Sequence, residues 1–425
     1  MAGPPLTFSL ARYRQRAIAQ RSTGVLQSPD MLTRYERAIL QTLWHRGPLS
    51  RWELHQATGM TPNQSGETVG QLLAQDLVQE SEPRRRGRGR PAVPVSIDDK
   101  SRHVLGLAIQ PGQVTVNSLS LRGEPTGEPT SVVVNAPTDL VDCATQSLMA
   151  HQTSRPPLAI GLSLPGFVDP LEHAVLSSSA WRGEEPENSY LGTLEPIYKA
   201  AGDVPVVLDN DMHALTARWL LSYPEERADD LLLVHIEDGR FGASLVIGGR
   251  PNRGCVTGAN EMGHTRFFVD TAQCYCGHTG CLERIVSTDY LHRLAPPEEG
   301  TLPEQAERYQ SGHPESMETI LDYLACGLGN ALNFVRPERL VLVSSWLNHG
   351  TIQQALIDQT LKQAFPPIAE RVRIECVTGP GTTSAENAGW LAIAELLEGN
   401  WSAIDEANGR ALQARIPSKA SASEK

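Results

Sequence analysis

Between Thr33 and Arg46 (TRYERAILQTLWHR), apolar side chains return every three or four positions, so Ile39, Leu40, Leu43 and Trp44 share one helical face. Gly47-Pro48 ends that helix. Leu49 to Gly59 predicts a second short helix, with Ser50 as N-cap and Glu53 completing a capping box. Thr61-Pro62 opens a third as cap and first helical residue, and its apolar positions run through Val69, Leu72 and Leu73 to about Gln75. Two helices joined by a glycine turn form a helix-turn-helix, whose second helix enters a major groove by its N-terminal residues. Asn63, Gln64, Ser65 and Thr68 are therefore the expected base readers.

Two short strands follow, Leu77–Glu80 and Ala92–Ile97, flanking a wing-like Pro83-Arg84-Arg85-Arg86-Gly87-Arg88-Gly89-Arg90-Pro91. Arginines spaced by glycine suit a narrow minor groove, where the potential is most negative. Arg84, Arg85, Arg86, Arg88 and Arg90 are accordingly expected to touch DNA.

The pattern then changes. Apolar runs recur at Val104–Ile109, Val114–Leu119, Leu158–Leu162, Leu231–Ile236 and Leu340–Val343. Helical periodicity recurs near Val141–His151, Thr193–Ala201, His213–Leu221 and Met317–Phe334. Alternation of this kind predicts α/β layers. Gln110-Pro111-Gly112-Gln113 joins the first two runs as a hairpin.

Charge divides the 425 residues the same way. Residues 1–95 carry 13 Arg, no Lys and 7 acids, a balance of +6, whereas the remainder carries 24 basic against 42 acidic residues, a balance of −18. The basic segment attracts phosphate backbones and the acidic one repels them. Arg12, Arg14, Arg16 and Arg21 precede the first acid, Asp30, and read as a basic arm rather than an organelle transit peptide. No apolar run reaches about 18 residues, so no membrane insertion is expected. Seven cysteines are too sparse for a disulfide scaffold, which favours a reducing, cytoplasmic setting.

Three of those cysteines cluster. His264, Cys274, Cys276 and Cys281 follow the spacing H-x9-C-x-C-x4-C, and three thiolates with one imidazole suit a closed, structural Zn²⁺ site. Cys143, Cys255, Cys326 and Cys376 have no such company and are expected in the core. Two acidic groups stand out. Val206-Val207-Leu208-Asp209-Asn210-Asp211 is a buried-strand pattern ending in acids, where open α/β sheets present ligand-binding groups. Asp211 reads either as a general base towards a hydroxyl or as the N-cap of the next helix. Glu261 and Glu283 bracket the cysteine cluster and read either as carboxylates that a metal loop fixes towards a polyol or as surface charges.

Taken together, Gly258-Ala259-Asn260-Glu261-Met262-Gly263-His264 and Cys274-Tyr275-Cys276-Gly277-His278-Thr279-Gly280-Cys281-Leu282-Glu283 resemble the signature of the ROK family of repressors and sugar kinases, with Asn260 in place of a glycine. The resemblance spans about Thr33 to Leu397. It implies a two-lobed, actin-like α/β domain of the sugar kinase and hsp70-type ATPase class behind the winged helix-turn-helix. It implies zinc on His264, Cys274, Cys276 and Cys281, and sugar contacts from Glu261, His264 and Glu283. Asp209-Asn210-Asp211 resembles the family's END motif, which makes Asn210 and Asp211 sugar ligands and Asp211 a vestigial base. Gly161 to Gly166 resembles its sugar-side glycine-proline loop, which adds Gly166.

Departures from the kinase pattern bear on activity. Ala108, Gln110 and Pro111 stand where kinases of the family carry D-x-GGT, and Pro111 has no N–H to donate. Glu237-Asp238-Gly239-Arg240-Phe241-Gly242 replaces GTG-x-G, placing two carboxylates where phosphate charge belongs, and Ser344-Ser345 replaces a third glycine pair. Met212-His213 and Ser179 depart from the sugar-side pattern, so a phosphosugar or a protein partner is also open. The expectation is a DNA-binding regulator of carbohydrate metabolism, a repressor with a catalytically silent domain; the alternative is an ATP-dependent sugar kinase with a fused DNA-binding domain. The expected partners are an operator in double-stranded DNA, a sugar or phosphosugar, and a second copy in a homodimer or homotetramer. The expected layout is an arm over 1–30, the winged helix-turn-helix over 31–98, a first lobe over 99–215 with about 380–400, a second lobe over 216–379 containing the zinc loop 264–281, and a tail over 401–425.

Overall fold

The computed structural model describes residues 31–83, 92–151, 155–169, 173–178, 193–224, 229–254, 258–297, 300–312, 314–378, 384–399 and 401. The wing arginines Arg84, Arg85, Arg86, Arg88 and Arg90, together with Ser179 and Cys255, lie outside the described residues.

Three helices open the chain: α1 (Arg34–Arg46), α2 (Arg51–Thr58) and α3 (Pro62–Ala74). Each carries a capping box, Thr33 with Glu36, Ser50 with Glu53 and Thr61 with Gln64, so the orphan amides of all three N-termini are partly satisfied by sequence-local groups. β1 (Leu49–Ser50), β2 (Val78–Glu80) and β3 (Pro94–Ile97) form an antiparallel sheet of order β1-β3-β2 beside them. The three helices pack against this small sheet.

A five-stranded sheet of order β10-β7-β4-β5-β6 comes next. It comprises β4 (His103–Gln110), β5 (Gln113–Ser120), β6 (Thr130–Val133), β7 (Ile160–Leu164) and β10 (Val206–Asn210). Pro111-Gly112 forms the two-residue turn between β4 and β5, and Gly112 takes φ +73°, the conformation that a type II turn requires at its second central residue. β8 (Phe167–Asp169) and β9 (Ala174–Ser177) make a separate hairpin, and α4 (Leu140–Ala150) and α5 (Glu195–Ala201) accompany the sheet.

A second five-stranded sheet has order β13-β12-β11-β14-β15. Its members are β11 (Leu231–Glu237), β12 (Arg240–Ile247), β13 (Arg250–Pro251), β14 (Arg339–Ser344) and β15 (Arg373–Thr378). Helix α6 (Asp211–Ser222) links the two sheets. Helices α7 (Leu282–Ile285), α8 (Thr288–Leu294), α9 (Leu302–Arg308), α10 (Glu315–Val335), α11 (Gly350–Gln363) and α12 (Pro366–Ala369) belong to the second half, and α13 (Ser384–Glu398) returns to the first sheet. Among the described residues, no helix is long and apolar enough to cross a membrane.

The return of α13 requires glycine at two strand positions. A Cβ on Gly106 of β4 would stand 1.8 Å from the Ala385 carbonyl oxygen, and one on Gly161 of β7 would stand 1.7 Å from that of Ala388. Helix and sheet therefore meet backbone to backbone. On the other side, α6 buries nine of its twelve residues, and the three less buried ones, Asp211, Arg218 and Ser222, share one narrow stripe. One apolar cluster runs from Ile39, Leu43, Leu54 and Leu72 of the helix-turn-helix through Leu119, Leu215, Leu220 and Trp390 to Val341 of the second sheet.

Several expectations need correction. Ser65 is fully buried and Thr68 is 5% exposed; both face the helix-turn-helix core, where Thr68 Oγ1 donates to the Gln64 carbonyl, so neither reads bases. Their phase on α3 matches Val69 and Leu72, which fixes them inward. The N-cap of α6 is Asn210, whose Oδ1 accepts the Met212 amide; Asp211 is the first helical residue. Cys143, Cys326 and Cys376 are half-buried rather than core.

Candidate functional site: an interlobe cleft and a cysteine-histidine knot

A cleft of about 780 Å³ opens between the two sheets. Strand β10 ends at its floor, and Asn210 and Asp211 line it, because the carboxyl end of a parallel strand delivers its last residues there. Asn210 is held in two directions: Nδ2 donates to the Gly166 carbonyl at 2.8 Å while Oδ1 caps α6. Gly166, Asn210, Asp211, Glu261 and Glu283 all line this one cavity. His264 lies just behind, its Nε2 3.7 Å from Glu261 Oε2.

The electrostatics of the cleft are set by burial. Asp211 is pushed up by desolvation, partly offset by the nearby His235 and the Met212 amide. Glu261 is raised to about 7 by desolvation and by the charge of Asp211. Glu283 is buried and accepts the Tyr275 hydroxyl at 3.3 Å. Two crowded carboxyls with a third close by would be repulsive towards an anion but supply acceptors for several hydroxyls.

Asn260 explains its own departure from glycine. It adopts φ +70°, a left-handed conformation that Asn tolerates better than other side chains, and its Nδ2 reaches the Asn252 carbonyl at 2.9 Å. The loop that presents Glu261 is thereby tied to the chain leaving β13.

Beneath Asp211, the sequence pattern left one group unseen. Asp209 is buried, with His213 Nδ1 at 2.8 Å and the Arg253 guanidinium at 2.7 Å from its Oδ1. Burial alone would raise its carboxyl, but Arg253 and His213 outweigh it and hold Asp209 at about 2. Arg253 Nη2 also donates to the Trp401 carbonyl at 2.8 Å. Arg253 lies 44 positions from Asp209, and an arginine flanked by Asn252 and Gly254 gave no local sign of this role.

The expected kinase phosphate loops are occupied by the chain itself. Glu237 accepts the Ser345 amide at 2.8 Å and the Ser345 hydroxyl, with His235 Nε2 3.6 Å away. Asp238 accepts the amide and hydroxyl of Thr288 at the start of α8. Met212 packs where a Cβ on Gly242 would stand 2.5 Å from its Cγ and Sδ. The carboxylates read from sequence as phosphate repellents are also internal clamps.

Four donor atoms gather outside the cleft. The ligating atoms of His264, Cys274, Cys276 and Cys281 lie within 4.8 Å of one another, with Cys274 Sγ 3.6 Å from His264 Nδ1 and Cys276 Sγ 3.5 Å from Cys281 Sγ. The 3.5 and 3.6 Å separations are close to the edges of a tetrahedron with metal–sulfur bonds of about 2.3 Å. The cluster could hold a metal ion. His264 would use Nδ1 for it and keep Nε2 towards Glu261, so one ring serves both neighbours.

On the helix-turn-helix, the exposed face of α3 is Asn63, Glu67, Gly70 and Gln71, spaced four, three and one apart. Gln64 is exposed but its side chain is engaged in the Thr61 capping box. Glu67, Gly70 and Gln71 were not anticipated; the solvent phase of the helix, opposite Val69 and Leu72, was the available signal.

Fold and cleft together define a two-lobed, sugar-kinase-like α/β protein bearing a DNA-binding-type N-terminal unit. The family model described as ROK matches residues 121–392, and the chain belongs to the ROK family. It is similar to the DNA-binding transcriptional repressor Mlc of Escherichia coli (strain K12), 26% identical over 387 residues that cover 85% of this chain and 92% of that protein. It is similar to the xylose repressor of Bacillus subtilis (strain 168), 24% identical over 324 residues, 73% of this chain and 82% of that one. Among solved structures, a ROK family transcriptional regulator homologous to E. coli Mlc superposes with a TM-score of 0.71 at 21% identity, covering 88% of this chain and 98% of the other.

Proposed function

We propose that this protein is a DNA-binding transcriptional repressor of carbohydrate metabolism whose kinase-like lobes bind a sugar or phosphosugar effector without transferring phosphate. The observation that carries the reading is a helix-turn-helix sharing one apolar core with a cleft that presents Asn210, Asp211, Glu261 and Glu283. The repressors Mlc and the xylose repressor, similar over most of their length, support it.

The absence of phosphotransfer is supported by Glu237 and Asp238, which accept the bonds from Ser345 and Thr288, and by Pro111 at the β4–β5 turn. Asp211 then acts as a hydroxyl acceptor rather than as a base. A structural Zn²⁺ on His264, Cys274, Cys276 and Cys281 would fix the loop carrying His264 and Glu283. The lobes divide at about residue 215, with 380–400 returning to the first lobe. Two copies in a homodimer would place two α3 helices over half-sites about one helical turn apart. A sugar that prefers one lobe arrangement shifts the DNA-binding equilibrium only by its differential affinity.

A thermal-shift series on zinc-loaded protein tests this, using D-xylose, D-glucose, N-acetylglucosamine, their phosphates, and ATP with Mg²⁺. A sugar that raises Tm while ATP is silent is the expected result. Stabilisation by ATP together with ADP release would overturn it in favour of the kinase.

A further inference from the structure

Two helices that touch the cleft run away from it and reach the same residue of the DNA-binding unit. Helix α6 begins in the cleft with Asn210 as its cap and Asp211 and Met212 on the cavity wall. Eleven residues after the cap, about 16 Å along the axis, the Leu221 carbonyl accepts the indole N–H of Trp44 at 3.0 Å. Helix α13 begins with Ser384 and Asn387 on the same wall, and its Trp390 meets the Trp44 ring edge-on at 5.8 Å between centroids. Trp44 lies in the last turn of α1, in the helix-turn-helix.

The contact is fixed from a third side. Arg122 places its guanidinium 5.2 Å from the Trp44 ring centroid and donates to the Leu43 and Trp44 carbonyls at 3.3 and 3.2 Å. The Leu43 carbonyl also takes the Gly47 amide at 3.0 Å, and both carbonyls lie in the last turn, where a cation complements the helix dipole. The indole N–H likewise satisfies a terminal carbonyl of α6.

We propose that Trp44 is the positioning residue through which the state of the cleft reaches the DNA-binding helices. The inference rests on the cleft being the effector site, but the coupling itself is a property of the chain. Nine of the twelve residues of α6 are buried, so a change at its cap is passed along packed neighbours rather than absorbed by solvent. Its far end meets α1 through one hydrogen bond and one ring. Phenylalanine at position 44 keeps most of the ring contact and removes the N–H.

The test uses the full-length chain and hydrogen exchange of the amides from Ile39 to Trp44. Asn210→Ala, which removes the cap of α6 and its bond to Gly166, is expected to speed their exchange by about fivefold. In a Trp44→Phe background the same change is expected to have no further effect, a non-additivity that a merely structural tryptophan does not produce. Arg122→Gln, which frees the last turn of α1 with the ring in place, is a second interruption should Trp44→Phe fail to fold. Equal effects of Asn210→Ala with and without the interruption, or no effect in the parent, overturn the proposal. D-xylose, D-glucose and N-acetylglucosamine form a separate arm. If none of them protects Met212–Leu221 while the Asn210 coupling persists, the sugar reading fails and the coupling stands.

Discussion

Arg253, in the chain leaving β13 of the second sheet, reaches the buried carboxylate of Asp209 at the end of β10 in the first, 2.7 Å from its Oδ1. The two sheets are joined by this charge pair directly beneath the cleft, and His213 completes it from α6. Removing one partner leaves an uncompensated buried charge. Arg253→Ala is therefore expected to destabilise the fold by about 3–5 kcal/mol in urea titration at neutral pH.

The same pair sets an acid limit. Asp209 sits at about 2 in the folded chain against an ordinary value near 3.8, so the unfolded state binds more protons between these values. Its contribution of about 2 kcal/mol is complete above pH 4 and declines as pH falls towards 2. Urea melts at pH 5, 3.5 and 2 on the parent and on Asp209→Asn should converge as pH falls. Parallel slopes would show that the pair does not carry this dependence.

For the cysteine-histidine knot, Cys276→Ser is expected to abolish bound zinc by atomic absorption and to lower Tm. Affinity for a sugar found in the thermal-shift series should fall with it, because His264 Nε2 faces Glu261. Metal at one equivalent per chain in the variant would show that the ligand set is wrong.

On α3, Glu67 is an exposed acceptor with Gly66 and Gly70 on either side, and no Cβ of theirs fills the space around it. Carboxylates accept from the cytosine N4 amine in the major groove. Selection of binding sites from random DNA should show one cytosine preference in the parent that Glu67→Gln relaxes, at about 1–3 kcal/mol of discrimination. Ser65→Ala should leave the selected sequence unchanged, since Ser65 is buried.

Gly161→Ala would put a methyl group 1.7 Å from the Ala388 carbonyl oxygen and force α13 off the first sheet. A loss of at least about 1–3 kcal/mol is expected in thermal or urea unfolding. A neutral substitution would mean that helix and sheet are not in backbone contact.

Legibility differed by the kind of signal. The continuous apolar runs of β4, β5, β7, β11 and β14 announced themselves, because strands buried on both faces need no alternation. Helix α13 (SAENAGWLAIAELLE) did not read as a helix, because a helix enclosed by its neighbours shows no polar stripe. The apolar run of β12 is interrupted by Gly242, which makes room for Met212, and β15 is only half-buried at the edge of its sheet. In the cleft, Asn210, Asp211, Glu261 and Glu283 were visible because each stands in a short motif. Arg253, Trp44 and Trp401 were not, since their partners are 44, 177 and 148 positions away. The clamps of Glu237 and Asp238 were half-seen: their charge was evident, and their donors, Ser345 and Thr288, are 108 and 50 residues distant.

The edge-on meeting of Trp44 and Trp390 also orders events during synthesis. Nearly 350 residues separate the two rings, so at about 5–20 residues per second the ribosome needs roughly 17 to 70 seconds between them. Through that interval the capping boxes can start the three helices, yet the seat for their inner face is unfinished. Seating it waits for one of the last helices to be made. A message cut short before Trp390 yields a DNA-binding head with an apolar underside exposed, a substrate for proteases rather than an unregulated repressor.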